Sequence, residues 1–126
     1  MGVKKIVIID DDPIFCFILE KQLPADIIPY TYIFNKAQEA LSFIEEENSN
    51  DTKFLIFLDL NMPMMNGLEF LDKVKTNKQN FDLKVVIITS SINREDKIKP
   101  FSYSEVIGFL EKPISQRDVQ KIIAAF

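Results

Sequence analysis

The segment from residue 54 to residue 67, FLIFLDLNMPMMNG, constrains the fold of this chain more than any other. Five consecutive apolar residues lead directly into Asp59, and such a run is typical of a strand that is buried on both faces. Pro63 and Gly67 then indicate an irregular loop. A carboxylate at the carboxyl end of a buried strand lies where open α/β sheets bind their ligands, although a single aspartate more often only ends a strand. The residues that follow the other strands decide between these interpretations.

Apolar periodicity predicts strands that alternate with helices along the whole chain. The predicted strands cover residues 3–9, 29–35, 54–58, 84–89 and 105–110. Helices are predicted over residues 13–23, 36–47, 66–76 and 93–99, and around Val119, Ile122 and Ile123. Pro100 should make the helix over 93–99 short or kinked. This alternation predicts a parallel sheet with helices on both faces.

The predicted first helix is apolar on more than one face. We expect Ile14, Ile18 and Leu19 to form the stripe that faces the sheet. Residues 15–17 (FCF) are consecutive and apolar, so they cannot all point to the sheet, and at least one of them should be exposed. The helix should therefore carry an apolar side chain that the core does not use.

Composition and charge exclude several classes of function. A chain of 126 residues, 47% of them hydrophobic, is expected to form one domain with a sizeable core and no effector domain. The net charge of −4 disfavours a sequence-independent nucleic-acid surface or an anionic-membrane surface, and no apolar stretch is long enough to span a bilayer. The absence of histidine excludes a histidine base, a histidine ligand or a phosphohistidine in this chain. Cys16 is the single cysteine, which excludes an internal disulfide and fits a reducing cytoplasm.

Polar residues stand at the ends of four of the predicted strands. Residues 10–12 (DDD) follow the first strand, Asp59 the third and Lys112 the fifth, and Thr89 ends the fourth. Because the carboxyl ends of parallel strands lie on one edge of a sheet, we expect these groups to converge. Two carboxylates at ~4 Å repel by about 4 kcal/mol at an effective dielectric of ~20, so a compensating cation is expected. Oxygen ligands without cysteine or histidine favour Mg2+.

Such a site is suited to accept a phosphoryl group on Asp59. The metal would neutralise charge that develops on the transferred oxygens while the carboxylate attacks in line. Thr89 offers a hydroxyl donor and Lys112 a fixed positive charge for the phosphoryl oxygens. Each residue alone has an ordinary structural interpretation, as a helix cap, a strand residue or a surface lysine. Their conjunction at the strand ends favours the chemical interpretation.

The motifs IVIIDDDP, FLDLNMPMMNG, VVIITSS and GFLEKP together resemble those of two-component response-regulator receiver domains of the CheY-like kind, and the similarity covers residues 4–126. The resemblance implies an α/β, flavodoxin-like, doubly wound fold with five parallel strands in the order 2-1-3-4-5 and five helices, here as a stand-alone receiver over the whole chain. It also implies that Asp59 is the phosphoacceptor. Asp11, Asp59 and the backbone carbonyl of Asn61 would hold Mg2+, and Asp10 would act largely through water.

The same resemblance implies a switch and two interaction surfaces. Thr89 and Phe109 would form the switch, although Phe109 lacks the hydroxyl that the family often has there. The first helix and the loop after the fifth strand would dock a sensor histidine kinase or a histidine phosphotransfer protein, with Phe15 and Ile114 as candidate contacts. The helix over 93–99, the fifth strand and the last helix would present the face that binds a downstream protein partner.

The main hypothesis is therefore a cytoplasmic, single-domain response regulator or phosphorelay receiver, a signalling switch and not an enzyme with a separate substrate. The alternative is a pseudo-receiver that binds partners without being phosphorylated. A phosphohydrolase with an aspartyl nucleophile is disfavoured because Asn61 stands where such enzymes commonly need an acid. A flavin mononucleotide carrier is disfavoured because its phosphate would meet three carboxylates.

Overall fold

The computed structural model describes residues 2–77, 79–90 and 99–126, and its strands form one parallel sheet. The strands are β1 (Val3–Ile9), β2 (Thr31–Phe34), β3 (Thr52–Asp59), β4 (Asp82–Thr89) and β5 (Val106–Glu111). Their spatial order is β2-β1-β3-β4-β5, with every neighbouring pair parallel. The predicted α/β fold and strand order are therefore confirmed.

Four α-helices lie within the described ranges, where five helices were predicted for the chain. They are α1 (Pro13–Gln22), α2 (Ala37–Glu47), α3 (Gly67–Thr76) and α4 (Gln116–Ala125). The helix predicted over 93–99 lies outside the described residues as far as residue 98. Lys99–Ser102 forms a short 3-10 helix that includes Pro100.

The second strand is shorter than predicted. Ile28–Tyr30 forms a 3-10 turn, in which the Tyr30 N–H donates to the carbonyl oxygen of Ile27 at 2.9 Å. Pro29 lies inside this turn and has no N–H to donate to a sheet ladder. For this reason the strand begins only at Thr31, although the aromatic and β-branched pattern starts earlier.

The sheet separates two apolar cores, and β3 contributes to both. Phe54, Ile56 and Leu58 pack with residues of α2 and α3, whereas Leu55 and Phe57 pack with residues of α1 and α4. All five side chains are completely buried. The run that precedes Asp59 is thus a central strand covered on both faces, and Asp59 stands where this strand leaves the core.

The orientation of α1 differs from the expected one. Ile14 and Ile18 are 72% and 49% exposed, so their predicted place in the buried stripe is wrong, whereas Leu19 is buried as expected. Cys16 faces inward instead, and its Sγ donates to the carbonyl oxygen of Asp10 at 3.4 Å. The expected exposure within residues 15–17 is confirmed by Phe17, which is 59% exposed.

Candidate functional site

Three carboxylates meet at the carboxyl edge of the sheet. Asp10 follows β1 and Asp59 ends β3, and these strands are neighbours in register, with Ile9 opposite Leu58. One oxygen each of Asp10, Asp11 and Asp59 lies within 4.8 Å of the others. Asp10 and Asp59 are buried and Asp11 is exposed. The donors are all oxygens, and a group of this kind fits a hard divalent cation such as Mg2+.

Asp10 is fixed by protein contacts on every polar side-chain atom. Its Oδ1 accepts the N–H of Asp12 at 2.9 Å, and its Oδ2 accepts a hydrogen bond from Lys112 Nζ at 2.7 Å. Its carbonyl oxygen accepts from Asn35 Nδ2 at 2.9 Å and from the thiol of Cys16. These contacts hold Asp10 in one orientation, with both carboxylate oxygens already engaged.

Asp59 is only 5% exposed, and its Oδ1 accepts the backbone N–H of Asn61 at 3.2 Å. Burial, and after it the charge of Asp10, raise the pKa of Asp59 from 3.8 to about 6. The Asn61 N–H and the Lys112 ammonium lower this pKa and only partly offset those effects. The anionic form of Asp59 is therefore disfavoured by its surroundings, which increases the benefit of a bound cation.

Thr89 and Lys112 join the ends of β4 and β5 to the acidic group. Thr89 is completely buried, and its Oγ1 accepts from Asn61 Nδ2 at 3.4 Å. Its carbonyl oxygen accepts the N–H of Lys112 at 2.9 Å. The Lys112 side chain is 20% exposed and forms an ion pair with Asp10. The structure therefore brings Asp10, Asp59, Thr89 and Lys112 together as the strand ends predict.

The other candidate residues have more varied surroundings. Phe109 is partly buried and packs on the core that contains α2 and α3. Ile114 is 8% exposed, and its carbonyl oxygen accepts from Gln22 Nε2 at 2.6 Å, so little of its side chain is available to a partner. Phe15 is partly buried, and its ring centroid lies 4.1 Å from Lys112 Nζ.

The sequence did not indicate the partners that fix the acidic group. Asn35 follows β2 and binds the Asp10 carbonyl, and Cys16 and Phe15 reach the site from the first turns of α1. Asn35 could have been found from the sequence, because it is the last residue of a predicted parallel strand and ligands bind at the carboxyl ends of such strands. For the two α1 residues the apolar pattern gave no such signal.

Fold and site together define a class: a flavodoxin-like α/β domain with an acidic, cation-compatible site at the carboxyl edge of its sheet. The family model of the response regulator receiver domain matches residues 6–124. The chain therefore belongs to the response-regulator receiver family, whose members act in two-component signalling.

Proteins that share this domain differ in length. Hybrid signal transduction histidine kinase L of Dictyostelium discoideum is 31% identical over 125 residues, which are 97% of this chain but 7% of the kinase. The probable transcriptional regulator ycf29 of Pyropia yezoensis is 30% identical, over 94% of this chain and 51% of that protein. Response regulator Rcp1 of Synechocystis is 26% identical, over 95% of this chain and 84% of that protein. The chain thus spans 7% of the first relative and about half of the second.

Solved structures show the same fold. A response regulator receiver protein from Dyadobacter fermentans superposes with a TM-score of 0.80 at 22% identity, covering 98% of this chain and 97% of that one. Chemotaxis protein CheY4 of Vibrio cholerae superposes with a TM-score of 0.76 at 22% identity, covering 99% and 98%. Within the part of the chain that the structure describes, no helix has the length and apolar character needed to cross a membrane.

Proposed function

We propose that this chain is a phosphorylation-controlled signalling switch. In the presence of Mg2+, Asp59 accepts a phosphoryl group from a phosphohistidine of a sensor histidine kinase or a histidine phosphotransfer protein. The modified domain then changes its affinity for a downstream protein partner. The observation that supports this most directly is the approach of three carboxylates to within 4.8 Å beside the Lys112 ammonium. Carboxylates this close repel one another, and a purely structural role would not offset that cost.

In this proposal the chain's own residues hold the metal and accept the phosphoryl group. Asp11, Asp59 and the backbone carbonyl of Asn61 would hold Mg2+, which neutralises charge on the phosphoryl oxygens when bound. Asp10 would act largely through water, and the contacts of its two carboxylate oxygens with Asp12 and Lys112 keep it oriented toward the site. One Asp59 oxygen attacks the phosphorus in line, and the phosphorus–nitrogen bond of the donor breaks with its electron pair going to the imidazole.

Lys112 and Thr89 read the modified state. Lys112 has three N–H donors, and one of them binds Asp10, so it can also bind a phosphoryl oxygen. The Thr89 hydroxyl moves from the Asn61 amide to another phosphoryl oxygen, and the partly buried Phe109 ring fills the space that Thr89 leaves. The phosphoryl group can shift the two states only by its differential contacts with them. We expect these contacts to change the surface around β5 and α4.

A small phosphodonor tests this function without a partner protein. With acetyl phosphate and Mg2+, we expect the intact mass of the chain to increase by one phosphoryl group, because a small donor can reach Asp59 without a partner protein. Chelation of the metal with EDTA should slow incorporation by at least about a hundredfold, since metal ions supply several kcal/mol of charge stabilisation. Phos-tag electrophoresis provides a second measurement.

Two results would contradict the proposal. If phosphoryl groups were incorporated at the same rate with and without EDTA, the metal would have no part in the reaction. No incorporation from acetyl phosphate, together with no binding of beryllofluoride in the presence of Mg2+, would favour the pseudo-receiver alternative.

The donor protein has a candidate surface on α1. Ile14, Phe17 and Ile18 are 72%, 59% and 49% exposed, and α1 begins next to the acidic group. Lys21 Nζ lies 5.1 Å from the Phe17 ring centroid, which adds a positive charge to this apolar surface. We propose that Ile14, Phe17 and Ile18, with the predicted contact Phe15 beside them, dock the helix that carries the donor's phosphohistidine.

Replacing Ile18 with serine is expected to slow phosphotransfer about tenfold, since the loss of a central apolar contact commonly costs 1–2 kcal/mol of binding. The donor is the histidine-phosphorylated protein that phosphorylates the wild-type chain fastest. The measurement is the transfer of its labelled phosphoryl group to this chain over time. Incorporation from acetyl phosphate should not change. Ile107→Ser on β5 is a matched control, because Ile107 is 51% exposed and Ile18 is 49% exposed. Equal transfer rates in the two variants would exclude this face of α1.

A further inference from the structure

We propose that Phe15 is a positioning residue that holds the Lys112 ammonium in place for the phosphoryl group, an inference that rests on the function proposed above. Lys112 Nζ lies between two partners. One is Asp10 Oδ2 at 2.7 Å, and the other is the face of the Phe15 ring, whose centroid lies at 4.1 Å. An ammonium at this distance from an aromatic face is attracted by the negative potential of the ring.

The local structure of α1 makes Phe15 a fixed platform. Asp12 caps the helix, accepting the N–H of Ile14 at 3.0 Å and that of Phe15 at 3.4 Å, and Pro13 occupies the first helical position. The direction of the Phe15 side chain is therefore set by the cap next to the acidic group. The ring also packs against the core that contains α1 and α4. The cap and this packing together restrict the positions that the ring can occupy beside Lys112.

The two partners of Lys112 act differently when a phosphoryl group arrives. Asp10 occupies one N–H donor of the ammonium, and a lysine held by Asp10 alone would have its remaining donors in water. The aromatic face attracts the whole ammonium without requiring a directed hydrogen bond, and it displaces water from one side. The ammonium consequently stays in the site with donors available for a phosphoryl oxygen. Phe15 does not touch the reacting atoms and acts only through Lys112.

A change of ring chemistry separates this role from simple packing. Phe15→Leu should slow phosphorylation by acetyl phosphate about fivefold, as expected for the loss of one partly desolvated cation–aromatic contact. Phe15→Tyr retains an aromatic face and should stay within about twofold of wild type. Pentafluorophenylalanine at position 15 retains the shape but reverses the ring's electrostatics, so it should be as slow as leucine. In a Lys112→Gln background, Phe15→Leu should cause no further loss.

A second measurement reports the contact without any phosphodonor. The ring current of Phe15 should shift the Lys112 ε-methylene protons upfield in NMR spectra of the wild type and of Phe15→Tyr, and this shift should be lost in Phe15→Leu. Unchanged ε-methylene shifts in Phe15→Leu would overturn the proposal, and so would a lost shift with an unchanged acetyl phosphate rate.

The remaining outcomes are also distinguishable. If Phe15→Leu slowed transfer only from the protein donor and not from acetyl phosphate, Phe15 would be a docking residue and the positioning role would be overturned. If the wild-type chain accepted no phosphoryl group from any donor, the proposed function itself would fail. If Phe15→Leu were phosphorylated as fast as the wild type, only the role of Phe15 would be overturned.

Discussion

Replacing Asp59 with asparagine is expected to abolish phosphoryl incorporation and, without Mg2+, to make the fold more stable. An amide has no nucleophilic carboxylate oxygen, so incorporation from acetyl phosphate should fall by at least about a thousandfold, in line with other nucleophile replacements. The intact mass after reaction measures this loss. The stability gain is measured separately, by urea denaturation in EDTA, and it shows that the variant is folded.

The stability gain follows from the surroundings of Asp59. Its carboxylate is buried beside Asp10, which raises its pKa from 3.8 to about 6. The folded state therefore binds this proton more tightly than the unfolded state does, and the charged carboxylate destabilises the fold at neutral pH. At 1.36 kcal/mol for each pKa unit, the neutral amide should increase the free energy of unfolding by about 3 kcal/mol.

The difference in unfolding free energy between Asp59→Asn and the wild type depends on pH with a definite sign. A group with a raised pKa contributes stability below its unfolded pKa and loses it as the pH rises through its folded pKa. The advantage of Asp59→Asn should thus be small near pH 3.8, increase toward about 6 and stay constant above that value. Saturating Mg2+ should stabilise the wild type more than Asp59→Asn, because the variant loses one carboxylate ligand.

Asp26→Asn is a suitable control, because it removes the same charge from an exposed position. It should be phosphorylated like the wild type and should unfold within about 0.5 kcal/mol of it, as is usual for surface substitutions. Continued incorporation into Asp59→Asn would contradict the assignment and would point to another acceptor, such as the exposed Asp11.

The sequence predicts the sheet well because burial on both faces leaves a distinct pattern. The apolar run of β3 and the similar runs of β1 and β4 can only be covered by helices on both sides, which fixes the fold class. The orientation of α1 could not be predicted in this way. Its residues 14–19 are all apolar, so periodicity carries no information there. The helix is oriented by the Asp12 cap and by the Cys16 contact with the Asp10 carbonyl.

The candidate site shows the same limit. The carboxyl ends of parallel strands lie on one edge of a sheet, so the sequence predicts that Asp59, Thr89 and Lys112 share that edge. Strand order alone determines which of these ends are neighbours. It does not predict the contacts among the side chains, which depend on rotamers and on competing partners. Lys112 pairs with Asp10 and lies over Phe15, a residue that the sequence suggested only as a docking contact.

Gly67→Ala is expected to disturb the site through the backbone that carries Asp59. A methyl group on Gly67 would lie 2.7 Å from the carbonyl oxygen of Asp59 and 2.9 Å from Cα of Leu60. Both atoms belong to the backbone, so no side-chain rotation relieves the contact, and the end of β3 or the start of α3 has to move. Because Gly67 opens α3 and its N–H donates to the Leu60 carbonyl at 3.1 Å, this movement also strains the first turn of the helix.

Two opposing energies determine the size of the effect of Gly67→Ala. Alanine favours a helix over glycine by about 1 kcal/mol, whereas overpacking a rigid site costs about 3 kcal/mol at the upper end of its usual range. The net loss of stability should be about 2 kcal/mol, measured by urea denaturation. A displaced Asp59 should also accept phosphoryl groups from acetyl phosphate about ten- to a hundredfold more slowly, since small misplacements of reacting groups have effects of this size.

Gly108→Ala is the matched control, because its methyl group would meet Val86 Cγ2 at 4.0 Å, an ordinary contact. If Gly67→Ala were as stable and as reactive as Gly108→Ala, the backbone at Asp59 would be more adaptable than this close packing implies.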